Sequence, residues 1–174
     1  VTRLEKSEGP HACVSLTGGE PLLYEDFLTP LCAALRRRKF RILLETSGVL
    51  WRQLSRVVGA CDIIAMDLKL SSVTRQKDFL EEHRKFLKIA KNKEIYIKVV
   101  LSRKVDLREF GMHLRMVADV APQTSVFLQP MSGGGKVYPE PALMRFLDKL
   151  QRTGAKMIPD IRVGIQLQKL MDIR

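Results

Sequence analysis

The sequence predicts an α/β fold built on a parallel sheet, and three observations carry that prediction. Short β-rich runs alternate with longer amphipathic stretches along the chain. Each of the main β-rich runs ends in or near polar or ionisable residues, the pattern of sheets that bind ligands at strand carboxyl ends. The first run hands over to a helix through Thr17-Gly18-Gly19-Glu20-Pro21, where glycines let backbone approach something closely.

The elements follow in order. Strands are expected at Ala12–Thr17, Arg41–Glu45, Ile63–Asp67, Glu94–Leu101 and Ser125–Gln129, and helices at Tyr24–Arg38, Trp51–Val58, Lys77–Lys91, Leu107–Val120 and Glu140–Arg152. The first helix closes on Arg36, Arg37, Arg38 and Lys39, where cations suit the macrodipole. In the third, Phe79, Leu80, Phe86, Leu87 and Ala90 recur at helical spacing with charges between them. Lys156–Ile158 and Ile161–Ile165 are expected as short strands before a final helical segment. Right-handed crossovers would bring every strand's carboxyl end to one face. The loop "MSGGGKVYPEP" follows a strand at that same face.

At 174 residues, with 45% apolar and 28% charged residues, the chain reads as one domain over 1–174 with a real core. No apolar run approaches the roughly 20 residues that span a bilayer, so no membrane partner is expected. The amino end "VTRLEKSEGP" is polar and unlike a signal peptide, which points to the cytoplasm. Cys13, Cys32 and Cys61 each sit in an apolar segment and read as buried free thiols. No CxxC or CxxxCxxC spacing occurs. The formal charge of +11 and the pI near 9.9 suit an anionic partner. The bases are spread along helices and mixed with acids, as solvated faces are, which argues against nucleic acid.

Reading the strand ends gives Thr17-Gly18-Gly19-Glu20, Glu45-Thr46-Ser47-Gly48, Asp67-Leu68-Lys69, the Lys98 strand and Gln129-Pro130-Met131-Ser132. Each group also has a purely structural reading. Asp67 and Lys69 could be an ion pair, Glu45 and Thr46 a helix cap, and Gly18-Gly19 only a turn. Together they make a pocket of acids, a lysine, hydroxyls and an amide. Such a pocket suits a polar ligand carrying both amino and carboxylate groups, and it identifies no reaction.

The motifs resemble those of a known superfamily. "LTGGEPLL" resembles the Gly-Gly-Glu motif that follows the second barrel strand of radical S-adenosylmethionine (SAM) enzymes. "LLETSGV", "IIAMDLKL", "IYIKVVL" and "FLQPMS" resemble their third to sixth strands. Within the superfamily the likeness is to the 7-carboxy-7-deazaguanine synthases, whose Glu-Thr-Asn-Gly the Glu45–Gly48 run resembles. The closing "IRVGIQLQKLMDIR" and the stretch "DLKLSSVTRQKDFLEEHRKFLKIA" are similar to that family too. The chain departs from it at Ile165, where Pro is usual, and at Gln168, where His is usual.

The resemblance implies a partial (β/α)6 TIM-like barrel of the radical SAM type, with the first strand absent and an open edge beside Ala12–Thr17. It implies SAM bound by Gly18, Gly19, Glu20, Asp67, Leu68, Lys69, Gln129, Pro130, Met131 and Ser132. Substrate would meet Thr17 and Arg174, and Glu45, Thr46, Ser47 and Lys98 are further pocket candidates from strand position. The implied cofactors are SAM, a 4Fe-4S cluster on a CxxxCxxC loop expected upstream of Val1, and Mg2+ beside that cluster. Neither metal ligand set lies in this chain, which is expected to be an inactive fragment of a lyase-type enzyme. The implied reaction is ring contraction of 6-carboxy-tetrahydropterin, a small anionic substrate, towards queuosine and other 7-deazapurines. Flavodoxin or ferredoxin would be the electron donor, and a homodimer would cover the open edge. Two rival readings stand beside this one: a glycyl-radical-enzyme activase of the pyruvate formate-lyase activase type, and a non-catalytic SAM-binding module.

Overall fold

The structure, a computed structural model, describes residues 11–131 and 140–164. Among these residues six strands form one sheet: β1 (Cys13–Leu16), β2 (Arg41–Thr46), β3 (Ile63–Leu68), β4 (Glu94–Leu101), β5 (Ser125–Pro130) and β6 (Ile161–Val163). They lie in sequential order and every neighbouring pair is parallel. The connections carry α1 (Glu25–Arg37), α2 (Trp51–Val57), the single turn α3 (Ser71–Thr74), α4 (Leu80–Ala90), α5 (Leu107–Val120) and α6 (Pro141–Gly154). A parallel sheet wound in sequential order, with its helices on one side, is the wall of a partial barrel.

Strand parity separates the two faces. Ile42, Leu44, Ile64, Met66, Leu68, Ile97, Val99, Leu101, Val126 and Leu128 are buried in one core with Leu28, Leu54, Phe86, Leu114 and Leu147 of the helices. Each such aliphatic side chain contributes about 1.5–3 kcal/mol by leaving water. Most of the alternate positions, among them Ser15, Glu45, Asp67, Lys98 and Gln129, are exposed or half-buried, while Ala65 is buried. The sheet therefore has an apolar, helix-covered outside and a mixed inside, on which Leu43, Ile63, Val100 and Phe127 accompany the polar Glu45, Asp67, Lys98 and Gln129.

The five main strands and five main helices fall where the sequence places them, with ends shifted by a few residues. The sixth strand comes from Ile161–Val163, the first three residues of the second late run. Lys156–Ile158 is not a strand: the Lys156, Met157 and Ile158 amides close on Thr153 and Gly154 carbonyls as a turn ending α6. The expected final helical segment lies outside the described residues.

Cys13 overturns its own expectation, because it is exposed while Cys32 and Cys61 are buried. Among the described residues β1 pairs only with β2, which makes it an edge strand, and Cys13 is exposed on it. Apolar neighbours in sequence do not by themselves bury a residue on an edge strand. Among the described residues no helix is long and apolar enough to cross a membrane.

Candidate functional site

The site begins with the backbone after β1. Gly18 and Gly19 have φ of +95° and +56°, the left-handed region that side chains resist. A Cβ placed on either would meet nothing within 4 Å. Conformation, rather than crowding within the chain, is what requires glycine here. The turn delivers Glu20, whose carboxylate caps the 3-10 turn Pro21–Tyr24 by accepting from the Leu22 amide at 3.2 Å.

The same carboxylate is tied to the end of β2. Thr46 donates its hydroxyl to Glu20 Oε1 at 2.7 Å. Ser47 donates both backbone N–H and hydroxyl to Oε2, at 2.8 and 2.5 Å. Four donors thus occupy the roughly four lone-pair positions of one carboxylate. Gly48 completes the corner at φ +70°, where a Cβ would lie 2.6 Å from Met66 Cγ.

Glu20 and Ser47 share a cavity of about 270 Å³ with Leu23, Val49, Leu50, Lys69, Gln76 and Phe79. One carboxylate and one ammonium therefore line a single space whose remaining walls are largely apolar. Asp67 does not pair with Lys69. It faces the inside of the sheet, where Lys98 Nζ lies 3.3 Å from Asp67 Oδ1 and 3.1 Å from Glu45 Oε2. Ser15 donates its hydroxyl to the other Glu45 oxygen at 2.9 Å. Glu45 is therefore an ion-pair partner rather than a helix cap.

Electrostatics follow from this packing. Burial pushes the Glu45 carboxyl up, but hydrogen bonds from Ser15 and Lys98 and the Lys98 charge outweigh it and leave it below its ordinary value. Burial pushes Lys98 down, while Asp67 and Glu45 together hold it above its ordinary value. Two carboxylates against one ammonium leave the cluster one negative charge in excess.

The sequence-derived candidates do not all gather in one place. Glu20, Thr46 and Ser47 converge at the rim beside Lys69, and Glu45, Asp67 and Lys98 converge on the inner face. Leu68 and Pro130 turn buried side chains to the helix layer and can offer only backbone to a ligand at the rim. Thr17 and Met131 are exposed, and Gln129 is half-buried on the inner face. Ser132 and Arg174 lie outside the described residues.

His83 was not among those candidates. It is wholly buried, and its Nε2 donates to the Ser47 carbonyl at 3.3 Å, holding the corner from behind. Burial and the neighbouring His113 push its imidazole down to about 4, so it sits there neutral. The signal was available: His83 shares the helical face of Phe79, Phe86 and Leu87, and a lone polar residue on an apolar face needs a partner.

The three cysteines do not converge. Among the described residues the one set of three His, Cys, Asp or Glu ligand atoms within 4.8 Å of one another is Asp78, Glu109 and His113.

Sequential parallel strands with polar groups gathered at one rim define the chain as a partial (β/α) barrel with a strand-end site. Comparison with known proteins narrows the class. The chain is 32% identical over 166 residues to the 7-carboxy-7-deazaguanine synthase of Geobacter sulfurreducens, which covers 94% of this chain and 64% of that protein. It is 30% identical over 174 residues to the synthase of Methanopyrus kandleri, covering 99% of this chain and 65% of the relative. With the synthase of Methanocaldococcus jannaschii it shares 23% over 180 residues, 98% of this chain and 72% of the relative. Its sequence likeness is thus to the 7-carboxy-7-deazaguanine synthases, and it spans just under two thirds of the first two. No family model matches the chain. A domain of pyruvate-formate lyase-activating enzyme from Bacteroides vulgatus superposes with a TM-score of 0.67 at 16% identity, covering 88% of this chain and 99% of that one. Streptococcus suis SuiB superposes with 0.63 at 15%, covering 95% of this chain and 41% of that one. At these identities the two structures speak to the fold alone.

Proposed function

We propose that the chain is the SAM- and substrate-holding part of a radical SAM enzyme of the 7-carboxy-7-deazaguanine synthase type. The observation that carries this is the shared cavity, in which the Glu20 carboxylate and the Lys69 ammonium face one space. That pair of charges fits the amino-acid end of SAM, ammonium against Glu20 and carboxylate against Lys69. Gly18 and Gly19, open on their Cβ sides, leave backbone carbonyls for the same ammonium. When bound beside a reduced 4Fe-4S cluster, SAM supplies the abstraction of a hydrogen atom from substrate. The cluster's own ligands are not met by Cys13, Cys32 and Cys61, and we assign them, with Mg2+, to the part of the synthases that this chain does not span.

The chain's residues bind and orient. Glu20 already accepts four hydrogen bonds, so an incoming ammonium must displace one donor. Of the two hydroxyl donors Ser47 is the one to yield, because the Thr46 side chain is buried and also accepts from the Gly48 amide at 3.4 Å. Lys98 holds Glu45 and Asp67 in place on the inner face, and the cluster's excess negative charge suits the N–H-bearing edge of 6-carboxy-tetrahydropterin rather than its carboxylate. Thr17 and Arg174 would meet the same substrate. The electron donor, a flavodoxin or ferredoxin, and a homodimer covering β1 complete the reading.

The experiment is turnover by the protein with a CxxxCxxC loop in place, reconstituted without oxygen and reduced. Product 7-carboxy-7-deazaguanine from 6-carboxy-tetrahydropterin, with loss of ammonia, is the expected result. SAM cleavage without consumption of the pterin would reject the substrate. The pyruvate-formate lyase-activating neighbour offers fold likeness only, and the sequence relatives favour the synthase.

A further inference from the structure

Behind the rim, on the helix side, a second polar cluster serves none of the roles above. Glu109 and His113 are four residues apart on one face of α5, and Asp78 reaches them from the segment before α4. His113 is 1% exposed and Glu109 8%, while the Asp78 side chain is 46% exposed at the cluster's mouth.

The hydrogen bonds around this cluster all point outward. His113 Nδ1 lies 3.0 Å from the Glu109 carbonyl oxygen, which can only accept, so Nδ1 carries the proton. In the neutral ring Nε2 is then a bare lone pair, buried and without a hydrogen-bond partner. It faces Asp78 Oδ1 at 3.6 Å, another acceptor. Glu109 takes the Ser71 and Ser72 amides at 2.6 and 3.0 Å, and Asp78 Oδ1 takes the Leu80 amide at 2.9 Å. With the ring in its neutral form, three acceptors meet with no donor between them.

We propose that Asp78, Glu109 and His113 form a binding site for a divalent transition-metal ion, with Zn2+ as the probe. One imidazole nitrogen and two carboxylates are a donor set for Zn2+ or Mn2+, and the three atoms lie within 4.8 Å of one another. The outward bonds are the supports such ligands use: a His fixed by its second nitrogen on a carbonyl, and carboxylates held by amides. The ion would pin the Asp78 segment to α5, and α4 carries the His83 that supports Ser47. The site requires neither SAM nor a cluster.

Calorimetric titration of the metal-stripped chain with Zn2+ at neutral pH tests this, with ¹⁵N spectra of the histidine rings as a direct readout. The expected result is one saturable site, a large shift of His113 Nε2 on Zn2+ addition, and binding about tenfold or more weaker in Asp78→Asn. Cys13→Ser should bind as the parent does. Asp78 lies at the surface, so its variant remains folded even if His113→Gln does not. The proposal is overturned by absence of saturable binding, by undiminished binding in Asp78→Asn, by binding lost with Cys13, or by an Nε2 that keeps a proton throughout.

Discussion

Ser47 gives both of its donors to a single oxygen of Glu20, its amide at 2.8 Å and its hydroxyl at 2.5 Å. The relationship joins the ends of β1 and β2 and fills a carboxylate that a ligand ammonium would need. Ser47→Ala removes only the hydroxyl donor of the half-buried residue and leaves that of buried Thr46 in place. Its SAM affinity should stay within about threefold of the parent or rise, since the hydroxyl no longer competes. Thr46→Val, which strips a buried support from the other oxygen, should weaken binding by roughly 1–2 kcal/mol. Calorimetry on both variants checks the contrast, and a large loss in Ser47→Ala would show the hydroxyl to be a ligand contact.

Lys98→Met leaves Glu45 and Asp67 facing each other without a cation. The loss should be roughly 1–3 kcal/mol of folding stability at neutral pH, read by urea unfolding. The pH dependence has a definite sign. Glu45 titrates below its ordinary 4.5, so its contribution is present above about 4.5 and fades as pH falls through the lower folded value. Lys98 titrates above its ordinary 10.5, so its contribution is present below about 10.5 and fades as pH rises past it. The variant should show a smaller acid-induced loss than the parent, since it has less to lose.

How far the sequence reveals this molecule depends on how local each cause is. Hydrophobic periodicity is local, and it placed Leu107–Val120 and Glu94–Leu101 to the residue. Turn chemistry is local as well, so Gly18-Gly19-Glu20 stood out at once. Partner choice is not local. Lys98 could be placed on a strand, yet its pairing with Glu45 and Asp67 depends on the register of β2, β3 and β4. The exposure of Cys13 is not local either, since it depends on which strands flank β1. His83 and the Asp78–Glu109–His113 cluster depend on how α4 and α5 pack, which no single helix announces.

Glycine substitutions separate conformation from space. Gly48→Ala forces a side chain to φ +70° and within 2.6 Å of Met66 Cγ. Left-handed strain of about 1–2 kcal/mol and overpacking of about 1–3 kcal/mol should add in its thermal or urea unfolding. Gly59→Ala, with nothing within 4 Å of the new Cβ, should be neutral or stabilising by up to about 1 kcal/mol.

Thiol labelling tests the edge of the sheet. Cys13 is exposed, whereas burial pushes the Cys61 thiol up to about 11 and Cys32 upward as well. The native chain should release one equivalent rapidly with a disulfide reagent, and the remaining two only on unfolding. Cys13→Ser should abolish the fast phase. A fast phase that survives would mean that β1 is covered and another cysteine is open.

The central claim is that the Glu20 rim receives the amino-acid end of SAM, and amide spectra of the ¹⁵N-labelled chain titrated with SAM test it most directly. The account predicts saturating shifts at Gly18, Gly19, Ser47 and Lys69, with affinity lowered about tenfold or more in Glu20→Gln, which keeps the shape and removes the charge. Shifts confined to other parts of the chain, or an affinity unchanged by Glu20→Gln, would contradict it.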